Sequence, residues 1–125
     1  MEANARHFVR LFRVELEDLI EDVRQLMERT ETRYQRKEIT DYVHLANIAF
    51  LQRELDSIVK FSGIVDGIDP SIYKGISEIE SHLLATSRDF VSRLEDPEAV
   101  YVLLKRKLEK VRIYISLDGS VSTPQ

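Results

Sequence analysis

Residues 68–115 read IDPSIYKGISEIESHLLATSRDFVSRLEDPEAVYVLLKRKLEKVRIYI. Twice in this stretch an Asp-Pro pair, Asp69-Pro70 and Asp96-Pro97, stands directly before an amphipathic run of helical period. An aspartate carboxylate accepts a hydrogen bond from a first-turn amide, and proline has no amide hydrogen to leave unpaired at the first helical position. Ile72, Ile76, Ile79, Leu83, Phe90 and Leu94 keep one apolar face after the first pair. Val100, Leu104, Leu108, Val111 and Ile115 keep one after the second. The spacing predicts helices over about 70–94 and 97–116, joined by a link so short that they must be antiparallel neighbours. Ser77 with Glu80 also matches a capping box, which would start the first of these helices at Ser77 and leave residues 70–75 as a separate turn.

Upstream, Phe12, Leu16, Leu19, Val23 and Leu26 recur at spacings of four and three, with Leu11, Ile20 and Met27 widening the stripe. That pattern predicts a long bundle-facing helix over about 3–30. Continuing the seam lands on Thr30, Arg33, Lys37, Thr40 and His44, all polar. A helix without a buried stripe has no packing partner, so a turn is expected between Thr30 and Thr40. Thr40 is a suitable N-cap, with Asp41 in the first turn, for a second helix over about 40–61. In this helix Ile48, Leu51, Leu55 and Ile58 form one seam, while Tyr42, Ala46 and Ala49 form another on a different face, with Phe50 between. Ser62-Gly63 and Asp66-Gly67 are expected to break it. The fold class is therefore all-α, an antiparallel up-down-up-down four-helix bundle. A single domain over 1–117 and a flexible tail over 118–125 complete the expectation.

The chain has 125 residues, 43% of them apolar and 32% charged, enough for one domain with its own core. It has no cysteine, which excludes disulfides, thiolate metal sites and thiol nucleophiles. No apolar run approaches the roughly 20 residues that span a bilayer, and the N-terminus turns charged too early for a signal peptide. A cytoplasmic protein without membrane contact is expected. The net charge of −4 argues against general nucleic-acid binding.

Few residues carry a chemical signature. His44 follows Asp41 by three positions and His82 follows Glu78 by four, while His7 lies near the terminus. Carboxylate–histidine pairs at this spacing share a helix face, but neither supplies the full ligand set of a dimetal bundle. Histidine phosphotransfer bundles place a cation near the reactive imidazole, and neither His44 nor His82 has one in the following turn. Glu15-x-x-Asp18 and Glu38-x-x-Asp41 match loosely the acidic pairs with which helical nucleotide pyrophosphohydrolases hold magnesium. These four residues are the candidate metal ligands; otherwise no metal, cofactor or catalytic residue is expected. Residues 15–22 (ELEDLIED) are acidic and residues 105–112 (KRKLEKVR) basic. Lys105, Arg106, Lys107, Lys110 and Arg112 form either a patch for nucleic acid or an acidic partner, or the charge complement of the first helix. Residues 33–37 (RYQRK) add a small basic tip.

No motif identifies a reaction. The two-sided apolar character of the second helix points to a protein that works by protein–protein binding, as an adaptor, chaperone or regulatory subunit, and forms a homodimer. Tyr42, Ala46, Ala49 and Phe50 are its candidate contact residues. Two alternatives stand beside this one: a magnesium-dependent nucleotide pyrophosphohydrolase, and a binder of nucleic acid or acidic partners through the basic run.

Overall fold

A computed structural model describes the backbone of residues 2–93 and 97–122, with side chains over 4–93 and 101–116. The described residues form α1 (Glu2–Gln35), α2 (Asp41–Asp66), a single 3-10 turn (Pro70–Ile72), α3 (Ile76–Val91) and α4 (Pro97–Ser122), and among them there is no strand. The protein is an all-α four-helix bundle.

Side-chain contacts fix the pairing of neighbours. At one end of the α1–α2 hairpin, Arg13 meets Asp66, with Nε 3.2 Å from Oδ1. At the other, Glu31 meets His44. The two helices therefore run antiparallel. In the same way Glu80 pairs with Arg112 and Arg88 with Tyr101, which makes α3 and α4 antiparallel. α1 touches every other element and is the spine of the bundle.

The core gathers Phe8, Phe12, Leu16, Leu19 and Val23 of α1 with Ile58, Phe61 and Val65 of α2. α3 contributes Ile79, Leu83 and Val91, and α4 contributes Leu104, Leu108, Val111 and Ile115. Phe61 sits at its centre, edge-on to Phe12 at 6.2 Å and tilted against Phe90 at 5.4 Å. Removing such a ring costs about 3–5 kcal/mol. The one buried polar residue among those described, Ser87, donates its hydroxyl to the Leu83 carbonyl at 2.7 Å, which satisfies it within its own helix.

Several helix limits differ from the sequence expectation. α1 runs on to Gln35 because loss of the apolar seam removes a packing partner without breaking the backbone ladder. It ends where Lys37 takes the left-handed conformation, φ 62°. There the Glu38 amide donates to the Arg33 carbonyl at 2.9 Å and the Lys37 amide to Tyr34 at 3.0 Å, the pattern of a Schellman cap with lysine in the usual glycine place. Thr40 does cap α2, accepting from the Val43 amide at 3.2 Å. α2 passes through Ser62-Gly63 and stops at Gly67. The Arg13 guanidinium bonds the Val65 and Asp66 carbonyls at 3.4 and 3.3 Å, giving the last turn a cation at its negative end.

Asp69-Pro70 opens the 3-10 turn and not α3. The Asp69 carboxylate accepts from the Ser71 amide at 3.0 Å and from its hydroxyl at 2.7 Å. α3 begins after Gly75, which has no side-chain cap, and Ser77 lies inside the helix. The capping box with Glu80 is not formed; Glu78 instead reaches back to the Lys74 amide at 3.4 Å. α3 ends at Val91, short of Leu94. Leu94 and the Asp96 cap lie outside the described residues. α4 opens at Pro97 as expected and continues to Ser122, past the expected end at Ser116.

Candidate protein interface

The four helices differ greatly in length. α1 has 34 residues and α3 has 16, so at ~1.5 Å per residue they span about 51 and 24 Å. α2 and α4 have 26 residues each, so it is α3 that is too short to run beside the whole of α1. Among the described residues, the buried core of α1 ends at Val23 and that of α2 starts at Ile58. Residues 24–57 therefore form a two-helix arm standing beyond the four-helix base.

Along the inside of the arm α1 and α2 hold each other. Met27, Leu51 and Leu55 are half-buried against the core end. At the tip the ring of Tyr34 stacks on His44, with centroids 3.9 Å apart and planes 9° from parallel. His44 Nε2 lies 2.6 Å from Glu31 Oε1, and the Tyr34 hydroxyl donates to Asp41 Oδ1 at 2.8 Å. The Asp41 carboxylate holds the Tyr34 phenol above its ordinary pKa. Together with the Arg33–Glu38 ion pair at 3.5 Å, these contacts clasp the hairpin closed. A recess of about 370 Å³ lies beside the clasp, lined by Tyr34, Gln35, Lys37, Ile39, Thr40 and Asp41.

The outside of the arm is a different surface. Tyr42 is 80% exposed, Leu45 66%, Leu26 44% and Phe50 43%. Ala46 and Ala49 are exposed between them. Residues 42–52 (YVHLANIAFLQ) contain no Asp, Glu, Lys or Arg. Three solvated helical turns without a charge, in a chain that is 32% charged, make an unusual exposed surface. Tyr42, Ala46, Ala49 and Phe50, the contact residues expected from sequence, all lie on it.

The candidate metal ligands are not gathered in this way. Glu15 lies on the base between Lys107 Nζ at 3.3 Å and Lys110 Nζ at 3.1 Å, and its side chain is 16% exposed. Burial pushes its carboxyl up, but the ammonium groups of Lys110 and Lys107 outweigh burial and hold it below its ordinary value. Asp18 is exposed on α1. Glu38 and Asp41 are at the tip, engaged by Arg33 and Tyr34. No group of three or more acidic or histidine side chains able to hold a metal exists among the described residues.

Much of the basic run is likewise engaged within the chain. Lys107 and Lys110 complement the acidic segment of α1 through Glu15, and Arg112 bonds Glu80 at 3.1 Å. Lys105 and Arg106 remain exposed. Of the other histidines, His82 packs its ring 5.2 Å from Tyr73, and His7 is half-exposed on α1. No helix is long and apolar enough to cross a membrane among the described residues.

Sequence reasoning missed the clasp. Its signal lay in the register, because Glu31 and His44 stand seven and six residues from position 38, the middle of the turn, so an antiparallel hairpin brings them nearly level. Compared with known proteins, the chain matches no family model, no curated protein and no solved structure.

Proposed function

We propose that the protein acts by protein–protein association through the outer face of its arm, as a small adaptor or regulatory subunit, and that it self-associates there. The observation that carries this reading is the exposed outer face of residues 42–52, a stretch without Asp, Glu, Lys or Arg, on an arm the base does not cover. A hairpin of two helices buries one face of each and leaves the others wet. Apolar outer faces on such a hairpin are stabilised by a second layer of helices, which turns a two-helix arm into a four-helix one. Binding, not catalysis, fits the dispersal of the acidic candidates and the engagement of Glu15 by two lysines.

The test is the pair of substitutions Ala46→Glu and Ala49→Glu, read by sedimentation velocity and circular dichroism. Both sites are exposed in the single chain, so neither change should move monomer stability by more than about 0.5 kcal/mol. Each is expected to abolish the dimer while leaving helicity unchanged, with a melt that no longer depends on protein concentration. A dimer of native affinity in both variants would remove the arm as its interface.

A further inference from the structure

We propose that the outer face of α4 is a second interaction surface, separate from the arm, which docks an acidic amphipathic helix of a partner protein. The buried line of α4 is Leu104, Leu108, Val111 and Ile115. Val102, Arg106, Glu109 and Ile113 follow each other by four, three and four residues and form the opposite line, turned away from the core. Val102 and Ile113 are exposed at its two ends. They stand eleven residues apart, about 16 Å along the axis. A recess of about 300 Å³, lined by Arg106, Glu109, Lys110 and Ile113, leaves room for an apolar side chain. Two apolar points three turns apart on one helix suit the anchors of a second helix laid along it.

The charge of the face decides what that helix carries. Residues 101–116 hold five cations, Lys105, Arg106, Lys107, Lys110 and Arg112, and one carboxylate, Glu109. Among the described residues, the neighbouring helices bring two more carboxylates into contact with this run. Glu15 is shared by Lys107 and Lys110, and Glu80 is taken by Arg112. Five cations against three carboxylates leave a positive face on a chain whose net charge is −4. Lys105 and Arg106 make no ion pair among the described residues, and the Lys110 side chain stays 62% exposed beyond Glu15. A partner helix with carboxylates between its apolar anchors supplies the missing charge and covers Val102 and Ile113 together. A nucleic-acid backbone would meet the cations alone, because its phosphates offer nothing to Val102 and Ile113.

The probe is a fluorescein-labelled helical peptide with two leucines eleven positions apart and four glutamates between them, read by fluorescence anisotropy. The native chain is expected to bind it, and to bind at least tenfold more weakly when sodium chloride rises from 50 to 500 mM. Two variants at exposed sites separate the charged and apolar contributions: Lys105→Glu with Arg106→Glu, and Ile113→Ser. Each should weaken binding at least tenfold and leave helicity unchanged. The Ala46→Glu chain should bind the peptide as the native chain does. No binding by the native chain, or binding that survives both α4 variants, would overturn the proposal. Loss of binding in Ala46→Glu would place the peptide on the arm and overturn it as well. Tighter binding of a labelled 15-nucleotide oligothymidine than of the peptide would overturn it in favour of nucleic acid. A native chain that is monomeric and still binds the peptide through Arg106 and Ile113 would overturn association through the arm and leave this surface standing.

Discussion

Two residues of this chain are in conformations that other side chains would fill better. Lys37 occupies the left-handed region at the end of α1, where a residue with a Cβ costs about 1 kcal/mol relative to glycine. Lys37→Gly is therefore expected to raise stability by about 0.5–1 kcal/mol, seen as a higher urea midpoint with an unchanged slope. Gly63 presents the opposite case. It lies within α2, and a Cβ built there meets nothing within 4 Å. Gly63→Ala should stabilise by about 1 kcal/mol, the ordinary helix-interior difference, and a fall in the midpoint would contradict the packing described for that turn.

Glu15 is the residue with the clearest acid response. Its folded pKa lies below the usual 4.5. A carboxylate of that kind contributes stability fully present above the unfolded value and lost as pH falls through the folded one. Glu15→Gln should cost about 1–2 kcal/mol at pH 7 and progressively less below pH 4.5, as native stability converges on that of the variant. Denaturant titrations at pH 7 and near pH 3 check this. A gap between the two proteins that does not narrow on acidification would assign the effect to packing.

At the level of elements, legibility followed the strength of local signals. Helices α2 and α4 were readable because Thr40 and Pro97 stand at their starts, and α4 also because its seam stays regular from Leu104 to Ile115. Asp69-Pro70 was a true cap on the wrong element, because a single 3-10 turn and an α-helix share the same N-terminal chemistry. Residues 30–35 were misread as turn because a missing apolar seam signals a missing partner, and α1 continues without one. The tip clasp was illegible for a related reason: it joins Glu31 and Tyr34 to His44 and Asp41 across a turn whose register the residues alone did not settle. Since the clasp lies beyond the core, it should govern local and not global stability. The double variant Tyr34→Ala, His44→Ala is expected to raise amide exchange in residues 30–45 at least tenfold and to leave exchange in α3 unchanged. Equal acceleration throughout the chain would make the tip part of the cooperative core.

At the scale of the molecule the central fact is a mismatch of lengths. A base of four helices buries its phenylalanines, and an arm of two helices carries Tyr42, Leu45 and Phe50 into solvent. The apolar residues expected to mark a contact surface were legible as a second stripe on one helix. That the surface stands on a projecting arm was not, because it depends on α3 being half the length of α1. The acidic pairs looked like a site only while their places in space were unknown; Glu15 belongs to the base and Glu38 to the tip.

The most direct test of this account is the solution mass of the native chain by sedimentation equilibrium between 1 and 100 µM. Association through the arm predicts a mass approaching twice the 14.6 kDa of one chain, with the monomer regained on Ala46→Glu. A mass of one chain across that whole range would contradict it.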